Sequence, residues 1–296
     1  MNKKPLLIED DLDSELDLVD GTPTIEISGD LDPIEARREL ILKAKRRLTP
    51  VRRAAVQSPR ETEGSRVGQL MTLVKESQHL AFDLELLYLA LQPITTDGDF
   101  LPNGSWAHLM STAGKARKAP GISRAWRVLE DHGLITREDG LAALLREDGS
   151  GEPWIHPGEA AGRDRIGYFS IPRAYWLRGY ANALSLPGKG MLMILLSETN
   201  DLKATTVTYS HARFSEYFGI SESTVKRGLN NLREFGLLGE RWEKQPAARS
   251  PKGYRQVGHY WLLNPFSTQS RDRARDLDTK ERGGRAAAPI GGGGDG

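Results

Sequence analysis

The sequence predicts a mainly α protein with small β-hairpins, an α+β chain of two similar units in tandem between disordered termini. Three observations predict it. Helical apolar periods dominate residues 67–133 and 174–236. Two of these runs, 119–133 and 221–236, each end in Gly-Leu followed by a β-like segment. Residues 1–31 and 267–296 carry no sustained apolar period. A length of 296 residues is compatible with about two domains. There is no cysteine, which excludes disulfides, thiol catalysis and Cys-based zinc sites and fits a reducing cytosol. No apolar run reaches the ~18 residues of a membrane span. The first residues lack the apolar core of a signal peptide. A cytoplasmic protein with no membrane partner is expected.

A net charge of +1 conceals two opposite blocks. Residues 1–31 hold nine acids against Lys3 and Lys4, and residues 36–60 hold nine bases against Glu39. Such blocks read as solvated interaction segments, here an acidic disordered tail (1–31) and a basic helical arm with linker (32–66). The arm's helix has Asp32 as N-cap, Pro33 in the first turn and Glu35 at the capping-box position. Ile34, Ile41 and Leu48 recur every seven residues, a thin docking stripe on an otherwise basic surface. The arm is read either as a docked, solvated helix or as a phosphate-binding segment. Residues 57–66 read as the linker.

The first unit is expected over 67–172. It holds a Leu-rich buried helix at 79–92 and a short helix at 105–114 with Ser105 as cap. An amphipathic helix at 119–133, with Pro120 in its first turn, leads into the strand "LITRED". A Gly/Pro-rich loop spans 141–165, and "IGYFSIP" returns as a strand. The second unit, over 173–266, repeats the order. It has a Leu/Met-rich helical run at 174–198, a short helix at 210–219 and a longer one at 221–236. Strands at 237–245 and 254–264 flank the tip "PAARSPKG". Short helix, long helix, strand and hairpin is the order of a winged helix-turn-helix domain, so tandem winged helix-turn-helix domains are predicted. Residues 267–296 are polar, Arg-rich and then Gly-rich, and read as a disordered tail.

"GISESTVKRGLNNLREFGLL" (219–238) carries the functional expectation. At ~100° per residue, Val225, Leu229 and Leu232 form one face. Ser223, Arg227, Asn230, Asn231 and Glu234 form the other, with Thr224 and Lys226 on its flanks. Gly219 permits the turn before the helix, Ser221 caps it and Gly236 ends it. An exposed Arg can hold guanine bidentately and Asn can do so for adenine, whereas Ser, Thr and Lys at a helix start suit phosphates. Taken alone, the stretch reads first as an amphipathic helix with a solvated back. Its neighbours favour a recognition helix.

The stretch resembles the second and third helices of bacterial winged-helix regulators of the MarR and GntR kind. Their pattern is met by Ser221, Thr224, Val225, Arg227, Leu229, Leu232, Gly236 and Leu237. The resemblance spans about sixty residues with the hairpin. It implies that Thr224, Lys226, Arg227 and Asn231 face DNA. The chain departs from both families, with two such units and no GntR-type effector domain.

Aligning Gly133-Leu134 with Gly236-Leu237 places Ile122, Trp126 and Leu129 against Val225, Leu229 and Leu232. Arg124 then matches Arg227, and Arg127 matches Asn230. Lys115, Arg117 and Lys118 precede this helix and suit a phosphate at its N-terminus. Arg249, Lys252 and Arg255 surround the second hairpin tip and suit minor-groove or phosphate contact. Each group reads otherwise as ordinary surface charge.

Catalytic patterns are absent. "SLPGKGM" (185–191) lacks the P-loop spacing, the six histidines have no ligand spacing, and no nucleophile or zinc-protease motif occurs. No cofactor, metal or enzymatic activity is expected. Trp154, in the long loop, is a candidate contact residue. The expected partner is double-stranded DNA, with a homodimer or higher assembly on repeated sites compatible with it. The expected class is a transcriptional regulator. A plasmid or mobile-element replication initiator or partition protein, and a winged-helix protein-interaction module, are the alternatives.

Overall fold

The computed structural model describes residues 31–57, 67–95, 101–112, 114–138, 141–159, 167–200 and 202–286. Residues 1–30 of the expected acidic tail, most of the 57–66 linker and residues 287–296 lie outside them. The described chain is mixed α/β, with helices around small antiparallel sheets.

Helix α1 (Pro33–Lys43) starts where the Asp32-Pro33 signal predicts but stops before the basic cluster, and Lys45 takes a positive φ. The chain then forms strand β1 (Leu48–Arg52) and one 3-10 turn (Arg53–Ala55). This corrects the expected basic arm. Leu48, Val51, Ala54, Ala55 and Val56 are buried, and the cations between them are held internally. Arg47 pairs with Glu281 at 2.5 Å, and Arg53 with Glu198 at 3.2 Å. Arg52 is fully buried and pairs with buried Glu147 at 2.6 Å while donating to the Ile155 carbonyl. The charge count was right, but the apolar residues interleaved with the charges decide the structure.

Helices α2 (Gln69–Lys75) and α3 (His79–Thr95) supply the first apolar layer. The short α4 (Asn103–Leu109) and the longer α5 (Ala119–Asp131) close over it. Ser105 lies inside α4 and is not its cap. Tyr88, Trp106 and Trp126 meet edge to face with centroids 5.5–5.6 Å apart, joining α3, α4 and α5. Strands β2 (Ile135–Glu138) and β3 (Leu141–Leu144) form a tight hairpin. The expected loop at 141–165 is therefore corrected: Leu141–Leu144 returns at once as a strand because Ala142 and Leu144 are buried. The strand at β4 (Tyr168–Pro172) leaves this hairpin and pairs with β1 instead, Val51 opposite Phe169.

Two short helices, α6 (Ala174–Leu177) and α7 (Tyr180–Ala183), lead into α8 (Leu186–Glu198). α8 is apolar all round and buried from Gly188 to Ser197. Strand β5 (Val207–Tyr209), helices α9 (His211–Phe218) and α10 (Glu222–Glu234), and strands β6 (Leu238–Pro246) and β7 (Tyr254–Leu262) follow. The sheet order is β5-β7-β6. One continuous core runs through both expected units, so the partition at 172/173 is not a break.

The final helix, α11 (Thr268–Ala286), corrects the expected disordered tail over its span. Its anchor is Arg271, 1% exposed, which donates to the carbonyls of Leu196, Thr199 and Phe266. A guanidinium thus satisfies carbonyls at the C-terminus of α8, where the helix dipole favours a cation. Burial lowers its pKa to about 10. The sequence in this helix is polar enough to look unstructured, but Arg271, the Thr268 hydroxyl bonded to the Thr199 carbonyl and the Arg47–Glu281 pair hold it to the body.

Close backbone approach fixes α8 against its neighbours. A Cβ on Gly228 of α10 would lie 2.4 Å from the Pro187 carbonyl oxygen and Met191 Cγ, and one on Gly190 would lie 3.1 Å from Val74 of α2. The glycines of "PGKG" therefore serve packing. Gly228→Ala is expected to cost about 1–3 kcal/mol by overpacking, read as a lower urea midpoint with an unchanged m-value.

Glu85, on α3, is fully buried and neither carboxylate oxygen has a hydrogen-bond partner. Burial, reinforced by the Glu147 charge, pushes its pKa well above the ordinary carboxylate range. A carboxyl whose folded pKa is raised contributes stability while protonated and loses it as pH rises through that pKa. Glu85→Gln should therefore gain stability relative to the parent as pH rises above the ordinary carboxylate range, by up to about 1.4 kcal/mol per pH unit while the folded carboxyl stays protonated and the unfolded one is ionised. Parallel stability profiles for the two proteins in urea melts across that range would contradict it.

Candidate nucleic-acid interface

The second unit presents the predicted helix as an outward-facing element. Gly219 ends α9 at φ +64, and its N–H bonds the Ser215 carbonyl at 2.9 Å. Buried Ile220 pins the turn, and Ser221 caps α10 by accepting from the Thr224 N–H at 3.2 Å. Val225, Gly228, Leu229 and Leu232 face the core. Ser223, Lys226, Arg227 and Asn230 are exposed, with Thr224 half-buried.

At the N-terminus of α10 the hydroxyls form a cluster. Ser221 Oγ lies 2.9 Å from both Ser223 Oγ and Thr224 Oγ1, and Arg227 donates to Thr224 Oγ1 at 3.3 Å. The guanidinium is thereby held alongside the helix start with most of its donors outward. Asn230 accepts from Arg233 at 2.7 Å, which leaves its amide NH2 on the exposed face. Arg233 also pairs bidentately with Glu240 of β6 at 2.7 and 3.0 Å.

Asn231 is a correction. Its side-chain carbonyl accepts from both the N–H and the hydroxyl of Ser185, at 2.9 and 3.0 Å. Ser185 in turn caps α8 by accepting from Gly188 N–H. Asn231 is one helical step away from the outward face, and the α8 N-terminus lies on that side. Its role is positioning, so Asn231→Ala should cost about 1 kcal/mol of stability, seen as a lower melting temperature, by analogy with loss of a cap.

Strands β6 and β7 pair from Leu238–Leu262 out to Pro246–Tyr254, and β6 is exposed from Arg241 to Lys244, so the hairpin projects from the body. Its tip is closed by Ala247 N–H to the Gly253 carbonyl and Ser250 Oγ to the Tyr254 carbonyl. Arg249, Lys252 and Arg255 are exposed around it, and Arg255 donates to Gln245 at 3.2 Å. Sequence reasoning passed over Lys244, whose ammonium sits 4.8 Å from the Tyr254 ring centre, and Arg213 of α9, stacked 4.6 Å from Tyr217. The Arg213–Tyr217 spacing of four in a helix was the available signal.

The first unit repeats this geometry at an offset of 103 residues. Helix α5 (119–131) maps onto α10 (222–234) end to end. Buried Ile122, Ala125, Trp126 and Leu129 map onto buried Val225, Gly228, Leu229 and Leu232. Gly133 and Gly236 share φ near +65, and Leu134 and Leu237 close the same backbone bond onto Leu129 and Leu232. The ion pair at the helix end recurs with opposite sign: Glu130–Arg137 in the first unit and Arg233–Glu240 in the second.

Lys115, Lys118, Arg124 and Arg127 are exposed on this side, with Arg117 half-buried and its N–H held by Ser111 Oγ at 2.8 Å. The first hairpin differs in substance. Its described strands carry one cation, Arg137, and Glu130 holds it. Trp154 is half-buried against the core, edge to face with His156 at 6.2 Å, and so is packed.

Lys189 of "PGKG" is buried against Asp83 of α3 at 2.5 Å. Among the described residues no group of three or more His, Asp or Glu side chains is arranged to hold a metal. No helix among them is long and apolar enough to cross a membrane. Comparison with protein-family models, curated proteins and solved structures returns no match.

Proposed function

We propose that the chain is a sequence-specific double-stranded DNA-binding protein built on tandem winged helix-turn-helix units. α10 is the main recognition helix, α5 the second, and the β6–β7 hairpin the wing. The carrying observation is the combination at the second unit: an N-capped helix offering Ser223, Lys226, Arg227 and Asn230 outward, beside a projecting hairpin tipped with Arg249, Lys252 and Arg255. The strand order β5-β7-β6 and the repeat at 103 residues support the tandem reading.

In this reading Arg227 and Asn230 address base edges in the major groove, while Ser221, Ser223, Thr224 and Lys226 address phosphates at the helix start. The hairpin cations reach the neighbouring minor groove or its backbone. Arg124, Arg127, Lys115, Arg117 and Lys118 give the first unit a weaker, phosphate-dominated contact. Two recognition helices in one chain address successive groove faces, as the two subunits of a dimer do. The chain is a binding protein rather than an enzyme, acts in the cytoplasm and serves as a transcriptional regulator.

Arg227→Ala should lose about 1–3 kcal/mol on the preferred duplex and little on random DNA. Lys252→Ala should weaken both alike and lower the salt slope by about 1. Fluorescence anisotropy across a salt series reads both, on a site first located by footprinting the DNA that flanks the coding sequence. Equal losses on specific and random duplexes for Arg227→Ala would sink its assignment. A single protected operator beside a promoter supports regulation, and an array of repeated sites supports replication initiation instead.

A further inference from the structure

Strand β6 is nine residues long and has β7 on one side only, since the sheet order is β5-β7-β6. Its other edge carries no strand among the described residues. The bonds that bracket the ladder fix which residues face that edge. Leu263 N–H donates to the Leu237 carbonyl and Ala247 N–H to the Gly253 carbonyl, both at 2.9 Å and both in the register of β6 with β7. Bonded and non-bonded residue pairs alternate along an antiparallel ladder. Odd-numbered residues of β6 therefore turn their backbone groups to β7, and Glu240, Trp242 and Lys244 turn theirs to the open edge. Pro246 fits this parity, because its missing N–H also falls on the open side.

An open strand edge is a template for another strand, and its side chains select which one. Trp242 stands at the midpoint of β6, 45% exposed, and meets His211 and Tyr260 edge to face at 5.9 Å. Around it the chain runs Glu240, Arg241, Trp242, Glu243, Lys244. Laid antiparallel on a second copy about Trp242, this run sets Arg241 opposite the partner's Glu243 and Glu240 opposite the partner's Lys244, and the reverse. Every charge then faces its opposite. Moving the two-fold axis by one or two residues either way sets Glu240, Arg241, Glu243 or Lys244 opposite its own copy. Like charges directly opposite are unfavourable, so the register centred on Trp242 is the one these side chains favour. Arg241 is exposed and has no ion-pair partner among the described residues. Glu243 reaches His259 at 2.9 Å with half its side chain exposed. Glu240 is shared with Arg233, so the Arg241–Glu243 crossings carry most of the selectivity.

We propose that the open edge of β6 is a self-association surface, on which a second copy of this chain pairs antiparallel about Trp242 to form one continuous sheet. The backbone groups of Glu240, Trp242 and Lys244 bond those of the partner's Lys244, the partner's Trp242 and the partner's Glu240. Arg241 and Glu243 cross with their opposites on one face of the sheet, and the two indoles meet on the other. The hairpin tip with Arg249, Lys252 and Arg255 lies past Pro246, outside the paired segment. A single strand edge is smaller than the surface a permanent dimer buries, so the association is weak and reversible. The pairing depends on strand geometry and charge alone and not on duplex binding.

Sedimentation velocity of the full chain without DNA tests it, over about 5 to 500 µM protein. A reversible monomer–dimer equilibrium with a dissociation constant of about 10–100 µM is expected. Arg241→Glu and Glu243→Arg, each checked by its melting curve, should each weaken it about tenfold or more, because either change sets like charges opposite one another at both crossings. An equimolar mixture of these two variants should associate again, since each then meets its opposite at both crossings. The double swap Arg241→Glu/Glu243→Arg in one chain should also restore the dimer. A merely destabilised hairpin would show neither recovery. A monomer across the whole concentration range overturns the proposal and makes the charges on β6 a guard against strand pairing. Association left intact in either single variant overturns it too, as does a mixture that associates no better than its components. Duplex affinity is not read in this experiment, so its outcome and that of the DNA-binding reading stay separate.

Discussion

Much of the fold converges on α8, a thirteen-residue helix whose middle has no solvent side. A helix of that kind must be enclosed on every face, and each neighbour solves the contact differently. α2 approaches through Gly190, and α10 approaches through Gly228. α3 supplies Asp83 to the buried Lys189, the 3-10 turn sends Arg53 to Ser197 and Glu198, and α11 covers the C-terminal carbonyls with Arg271. The side chain of Asn231 finishes the N-terminus. Polar groups at the rim of α8 thus set where its neighbours sit, while the apolar middle supplies the driving force.

This arrangement explains why the outward face of α10 is so sharply defined. The helix is held from behind by Gly228 and Leu229, from the side by Asn231, and at its end by the Arg233–Glu240 pair onto β6. What remains outward includes Ser223, Lys226, Arg227 and Asn230, together with the acids Glu222 and Glu234. A site on a rigid element can keep such groups in fixed register, which loops cannot.

Much of this was legible in the residues. The bounds of α5, α9 and α10 to within a residue or two, the capping by Ser221, and the second hairpin follow from period, caps and Gly-Leu breaks, all of which are local signals. Several of the failures share one cause, which is long-range pairing. Leu48–Arg52 looks like part of a basic arm until Tyr168–Pro172 lies beside it. Thr268–Ala286 looks unstructured until Arg271 meets α8. Asn230 and Asn231 carry the same side chain, and the position of Ser185 is what separates them.

The inverted ion pair has a consequence for how the chain reaches this structure. Tandem units of similar pattern risk mutual mispairing while they fold. If α5 docked on the second hairpin, Glu130 would meet Glu240, and if α10 docked on the first, Arg233 would meet Arg137. Both exchanges set like charges face to face at the hinge between helix and strand. The sign reversal therefore weighs against exchanging the two helices between hairpins, by no more than the small energies of partly exposed pairs.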